Sequence, residues 1–262
     1  MSDDYTARFA GVRRLLGEAA QERLRHAHVC VVGLGGVGSW AVEALARTGV
    51  GALTLVDFDT IAVSNVNRQL PALTGQFGRP KAAALAERVQ AIQPECTVRA
   101  LQTELLPASA AELLATRYDA VLDAIDRPAL KALLIAGCRA RGLPVVASGG
   151  AGGHRDPTRI RVDDLGRVTH DRLLQATRKV LRAQYGLRGD AATEFGVRCV
   201  FCPQPPATAT AGGEAAAAGG HPNGAAAQPR LGYGTVCFVT GAFGLAAAAE
   251  IVRLITDRPA EG

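Results

Sequence analysis

The chain has 262 residues, 48% of them hydrophobic, enough for a full buried core, so one domain with an appended subregion is the expected organisation. A formal charge of +5, from 29 basic and 24 acidic residues, is only mildly basic. The opening MSDDYTARFAG is polar and acidic rather than basic then apolar, and six cysteines show no secretory framework. A secreted, disulfide-stapled protein is set aside, and a cytosolic one is expected.

In chain order, Val29 to Val32 form a short β-branched run that predicts a strand. Gly33, Gly35 and Gly38 then fit G-x-G-x-x-G just before the helix-like SWAVEALARTG. Such glycines let backbone turn tightly and approach phosphate, whose charge a helix N-terminus favours. The next apolar run, LTLVD, ends on Asp57, where a carboxylate can accept hydrogen bonds from ribose hydroxyls. To this point a nicotinamide dinucleotide and ATP fit equally well. Arg68 and Lys81 separate them, because a triphosphate leaves more charge to balance than a pyrophosphate seated on backbone amides. The basic residues include only three lysines, Lys81, Lys131 and Lys179, so a lysine kept inside this block is informative. The strand-like YDAVLDAID is expected to end at Asp126, a second carboxylate at the sheet's carboxyl edge, with Mg²⁺ on the phosphates as its natural ligand.

Beyond that strand, the run Gly149 to Gly153 allows backbone to approach a substrate closely. His154 follows it and is expected to be exposed on a loop, with a substrate contact as the other reading. Ten basic side chains against six acidic ones lie between residues 155 and 198, and RLLQATRKVLRAQYGLR carries no acid at all. Leu173, Thr177, Val180 and Leu181 interleave there with Arg172, Arg178, Lys179 and Arg182, predicting a helix with one apolar and one cationic face. Two readings stand, a solvated face or a surface for RNA phosphates, with Tyr185 in the core or stacked on a base. Cys199 and Cys202 form one CxxC without a second pair. With only Cys237 and His221 nearby in sequence, ordinary thiols are expected ahead of zinc or a redox disulfide, and zinc is not expected as a cofactor. Residues 203–230, rich in Ala, Gly and Pro, cannot bury enough to offset their ordering entropy and are expected to form a disordered loop. The stretch LGYGTVCFVTGAFGLAAAAEIVRLI is long enough to span a membrane, yet its glycines and threonines suit a buried strand leading into a packed helix better.

Taken together, GLGGVGS, DFDTIAVSNVNRQ, G-x-x-K at Gly78 to Lys81 and D-x-x-D at Asp123 to Asp126 resemble the superfamily of ThiF, MoeB and ubiquitin-activating enzymes. RFAGVRRLLG, NRQLPAL and SGGAGGHRDPTRIRVDDL look like its tRNA threonylcarbamoyladenosine dehydratase branch. The resemblance implies an α/β, Rossmann-like, doubly wound, mostly parallel sheet with a C-terminal extension and a crossover loop at 203–230. It implies a nucleotide-binding half at 8–150 and a substrate and tRNA half at 151–262. By the same resemblance Gly33, Gly35, Gly36, Gly38, Asp57, Asp59, Asn65 and Gln69 belong to the ATP site, Arg68 and Lys81 take phosphates, and Asp126 binds Mg²⁺. Arg14 matches an arginine that such enzymes borrow from a partner subunit, which implies a homodimer. The activity implied is ATP-dependent dehydration of the modified adenosine in tRNA through an acyl-adenylate, and docking of a cysteine-desulfurase-linked sulfur acceptor is compatible with it. Two rivals are an activator of a ubiquitin-like sulfur carrier, disfavoured by the missing thioester cysteine and second CxxC, and a nicotinamide oxidoreductase, which leaves Arg68, Lys81 and Asp126 idle.

Overall fold

A computed structural model describes residues 3–189, 192–207 and 233–257. Three helices, α1 (Asp3–Arg8), α2 (Ala10–Leu16) and α3 (Glu18–His26), precede β1 (His28–Val32). The chain then alternates through α4 (Gly38–Arg47), β2 (Ala52–Val56), α5 (Lys81–Ile92), β3 (Thr97–Leu101), α6 (Pro107–Leu113), β4 (Ala120–Asp123), α7 (Pro128–Arg139) and β5 (Val145–Ser148). The second half adds β6 (Arg161–Asp164), α8 (Arg172–Tyr185), β7 (Arg198–Phe201) and α9 (Cys237–Thr256). The seven strands form one sheet in the order β3-β2-β1-β4-β5-β7-β6, parallel throughout except for β6, which pairs antiparallel with β7. This is the expected mostly parallel α/β architecture. The chain leaves β1 on one side for β2 and returns on the other as β4, so the carboxyl ends of β1 and β4 form a switch point where ligands bind in open sheets.

Both sheet faces are covered, which is why the central strands read as unbroken apolar runs. Along β1, Val29 and Val31 enter one core with α4, α5 and α9, while Cys30 and Val32 enter the other with α7 and α8. Each such side chain, fully buried, contributes roughly 1.5–3 kcal/mol of transfer free energy. The edge strands differ: β3 is largely exposed and carries Arg99, and β6 presents Arg161 and Asp163, charges that discourage edge-to-edge pairing.

The C-terminal stretch departs in part from the expectation. Residues 233–236 form no strand; one bond, from Gly153 N–H to Gly234 O at 2.9 Å, ties them to the glycine loop, too little for a ladder. The packed helix is there. Among the described residues α9 alone has the length and apolar composition to cross a membrane, and 56% of that window is buried inside the protein. It lies so close to α4 that a Cβ added at Gly244 would overlap Val37 O, and Trp40 rests on Gly241. Residues 208–230 of the expected disordered loop, including His221, lie outside the described residues.

Glu250 fastens α9 to the sheet. Its Oε1 accepts from Arg198 Nε and Arg253 Nη2, both at 2.7 Å. Burial alone would raise its pKa from 4.5, but the hydrogen bonds from Arg253 and Arg198 outweigh that and hold it lower. Because the unfolded chain takes up this proton more readily, the stabilisation is complete above about pH 4.5 and is lost as pH falls through the lower folded value. Glu250→Gln is therefore expected to cost about 2 kcal/mol at neutral pH, lowering the melting midpoint by roughly 6 °C. The deficit should shrink in melts taken well below pH 4.5; an equal deficit at every pH would show that the charge is not what holds α9.

Candidate active site

At the switch point, Gly33 leaves β1 with φ 89° and donates its N–H to Val56 O at 2.9 Å. A Cβ here would lie 2.7 Å from Ala124 O, and one on Gly38 would overlap Gly33 O. Only glycines let the turn, the first residue of α4 and the end of β4 close on one another. Ser39 fixes the turn from the helix side, donating Oγ to Gly35 O at 2.6 Å and accepting from Leu70 N–H at 3.2 Å.

The turn opens onto a cleft of about 410 Å³. Gly33, Gly35, Gly36, Asp57, Asp59, Asn65, Arg68, Gln69, Lys81 and Asp126 all line it, so the sequence-predicted set converges except for Gly38 and Arg14. Gly38 stands behind the turn as a packing residue rather than a lining one. Asp57 Oδ2 accepts from Leu34 N–H at 2.6 Å and Oδ1 from Asp59 N–H at 2.8 Å. Burial raises its pKa, opposed by the Lys81 charge and these two donors. Lys81 is itself buried and bonds Asp59 Oδ2 at 2.8 Å. Arg68 donates to two neutral oxygens, Ser64 O and Asn67 Oδ1, each at 2.9 Å, while its own carbonyl is held by Trp40 Nε1 at 3.0 Å. Gln69 presents a buried Oε1 with no partner among the described residues, a cost of about 1–3 kcal/mol that a ligand donor would remove.

Three sequence-based expectations are corrected. β4 ends at Asp123, not Asp126, because the fully buried Asp123 turns inward to Lys131; Asp126 sits three residues on, exposed on the turn above the cleft. His154 is half-buried rather than exposed: its ring stacks at 6.5 Å on Phe243 of α9, a neighbour contributed by the far end of the chain. Burial lowers its pKa, and the Asp171 charge opposes that shift. On α8 the cationic face is not uniformly free. Arg178, half-buried, donates to Leu165 O, Gly166 O and Val168 O at 3.0–3.3 Å, and Arg182, itself exposed, to Gly189 O at 2.6 Å; Arg172 and Lys179 on the helix and Arg188 just beyond it are exposed.

Arg14 lies exposed on α2 and outside this cleft, beside Leu15, which is 83% exposed. Cys199 and Cys202 are buried free thiols, with burial pushing Cys199 up, and Cys237 is an exposed free thiol. No cluster of three potential metal ligands occurs among the described residues. Sequence reasoning missed Asp123, Lys131 and Asp171 as parts of the site's support; the scarcity of lysine was the signal that pointed to Lys131.

This geometry has close relatives. The chain is 47% identical over 203 residues to the tRNA threonylcarbamoyladenosine dehydratase of Haemophilus influenzae, covering 78% of each chain. It is 40% identical over 264 residues to the protein of that name from Escherichia coli K12, covering 99% of this chain and 97% of the relative. The crystal structure of E. coli tRNA N6-threonylcarbamoyladenosine dehydratase in complex with ATP superposes with a TM-score of 0.87 at 39% identity, over 98% of this chain and 96% of that one. The ThiF family model matches residues 7–262, and the chain belongs to the ThiF family.

Proposed function

We propose that this protein dehydrates N6-threonylcarbamoyladenosine in tRNA at the expense of ATP, through an acyl-adenylate. The observation that carries this reading is the full-length likeness to a dehydratase solved with ATP, joined to a cleft that gathers Asp57, Arg68, Lys81 and Asp126. The substrate carboxylate attacks the α-phosphate and expels pyrophosphate; a nucleophile in the same side chain then closes a ring and expels AMP. The net change is loss of water. Asp57 receives the ribose hydroxyls, and the glycine turn with the N-terminus of α4 receives phosphate oxygens. Lys81 exchanges Asp59 for a phosphate oxygen, and Arg68, bonded only to neutral groups, turns to a second. Gln69 Oε1 accepts from a ligand donor.

The donor set suits Mg²⁺: one exposed carboxylate, Asp126, would hold it together with substrate phosphates, as this ion prefers, and Asp123 is engaged elsewhere. When bound, it supplies charge neutralisation at the phosphates. Gly149 to Gly152 and Leu173 line the rest of the cleft and receive the modified nucleoside, so residues 8–150 act as the nucleotide half and 151–262 as the substrate half. A cytosolic homodimer completes the unit, with Arg14 reaching the partner's triphosphate, and a sulfur acceptor linked to a cysteine desulfurase is a further partner. Incubating the protein with ATP and tRNA from cells lacking it should release AMP and convert the modified nucleoside to its dehydrated form by mass; release with carrier proteins instead would favour the sulfur-carrier reading.

Three outcomes are expected. Lys81→Ala and Asp126→Ala should each lower AMP release by about 30-fold or more, since a cation 4 Å from a phosphate contributes on the order of 4 kcal/mol at moderate dielectric and half of that in the transition state suffices. Full turnover in either variant would remove that residue from the site. Mixing Arg14→Ala with Lys81→Ala should restore about a quarter of the activity, because half of randomly exchanged dimers carry one intact site each; no recovery despite measured subunit exchange places Arg14 outside the partner's site. Charge reversal at Arg172, Lys179 and Arg188 should weaken tRNA binding and lower its salt slope by up to about one unit per lost phosphate contact, sparing ATP binding. An unchanged slope makes that face a solvated one.

A further inference from the structure

Lys131, in the second turn of α7, and Asp123, the last residue of β4, are both fully buried. The ammonium lies 3.0 Å from Asp123 Oδ1 and 3.2 Å from Asp123 O, so it grips the side chain and the main chain of one residue. Asp123 Oδ1 also accepts from Ile125 N–H at 3.1 Å, and Ala124 N–H donates to Val32 O at 2.9 Å. The turn that ends in Asp126 is thus fastened at its base to one buried cation. Asp171, the N-cap of α8, is buried, which raises its pKa against the hydrogen bonds it accepts from Leu174 and Gly150. Asp171 Oδ1 accepts from Leu174 N–H and Oδ2 from Gly150 N–H, each at 2.9 Å, fixing the glycine loop that lines another part of the cleft.

Stability is a poor reason for this arrangement. Desolvating an ammonium and a carboxylate costs several kcal/mol per ion, and apolar replacements of buried pairs are often neutral or stabilising. Asp123 Oδ2 moreover has no partner among the described residues, so the pair is not optimised for satisfaction. We propose that Lys131 is a positioning residue of the adenylation centre: through Asp123 it sets the turn presenting Asp126. The inference rests on the adenylation reading for its catalytic consequence but not for its geometric one.

The test is the variant Lys131→Met with Asp123→Asn, which removes both charges at nearly constant volume and keeps an acceptor for Ile125 N–H. Backbone amide exchange at Ile125 should accelerate about tenfold or more while β1 and β2 amides stay as in wild type. With ATP and substrate tRNA, kcat for AMP release should fall about tenfold or more while ATP affinity changes less than about threefold, the split expected of lost positioning. Wild-type exchange at Ile125 together with wild-type kcat overturns the proposal. Where the double variant does not fold, Asp123→Asn alone is measured, and unchanged exchange at Ile125 with unchanged kcat overturns it equally. If the wild-type protein releases no AMP from ATP and tRNA, the activity reading fails by itself, and the exchange rate at Ile125 still decides whether Lys131 positions the turn.

Discussion

The site depends on one steric constraint, the meeting of three backbone segments at the carboxyl ends of β1 and β4. Gly33 lies against Ala124, and Gly38 against Gly33 O, with no space for a Cβ at either glycine. Because these segments touch, Leu34 N–H reaches Asp57 and Ala124 N–H reaches Val32 O, so Asp57 and the Asp126 turn are placed by main-chain bonds rather than by flexible side chains. A methyl group inserted at this point would push the start of α4 off the strand end and widen the whole cleft. The parallel order of β2-β1-β4 supplies the gap, and the two glycines make it narrow.

Within that frame, the charges are arranged before any ligand arrives. Lys81 rests on Asp59, Asp57 on two backbone donors, Asp123 on Lys131, and Arg68 on neutral oxygens. Each of these charges already has a partner, so a ligand would exchange contacts with them rather than meet loose side chains. The pairs differ in kind. Asp59 is partly exposed, so its bond to Lys81 lies open to exchange, whereas Asp123 is sealed in and keeps its cation.

What could be read from the sequence follows from how local each feature is. β1, the glycine turn and Asp57 depend on neighbours a few residues away and were legible, as was the convergence of Arg68, Lys81 and Asp126, which lie in the segments that follow the carboxyl ends of β2 and β4. The extent of β4 was not, because a carboxylate that folds inward to a buried lysine and one that faces solvent look alike in LDAID. The same blindness affected α8: composition reveals a cationic face, but which arginines are consumed by carbonyls of the preceding turn depends on tertiary placement. His154 was misjudged for the related reason that its covering residue, Phe243, arrives from another part of the chain. Lys131 was concealed by its surroundings, since one lysine in an apolar helix reads as the edge of a polar face, although lysine is rare here.

The position of α9 also bears on how the protein is made. This helix follows all seven strands in the sequence, yet packs against α4 and α3 and against β4, β5 and β7 at the middle of the sheet. A ribosome-bound chain that has already produced every strand still exposes the apolar face formed by Val29, Val31 and Leu45, because Phe243, Ala247 and Ile251 remain inside the exit tunnel. The core on this side of the sheet is therefore closed only when α9 arrives, and until then the nascent chain presents the kind of surface that chaperones recognise.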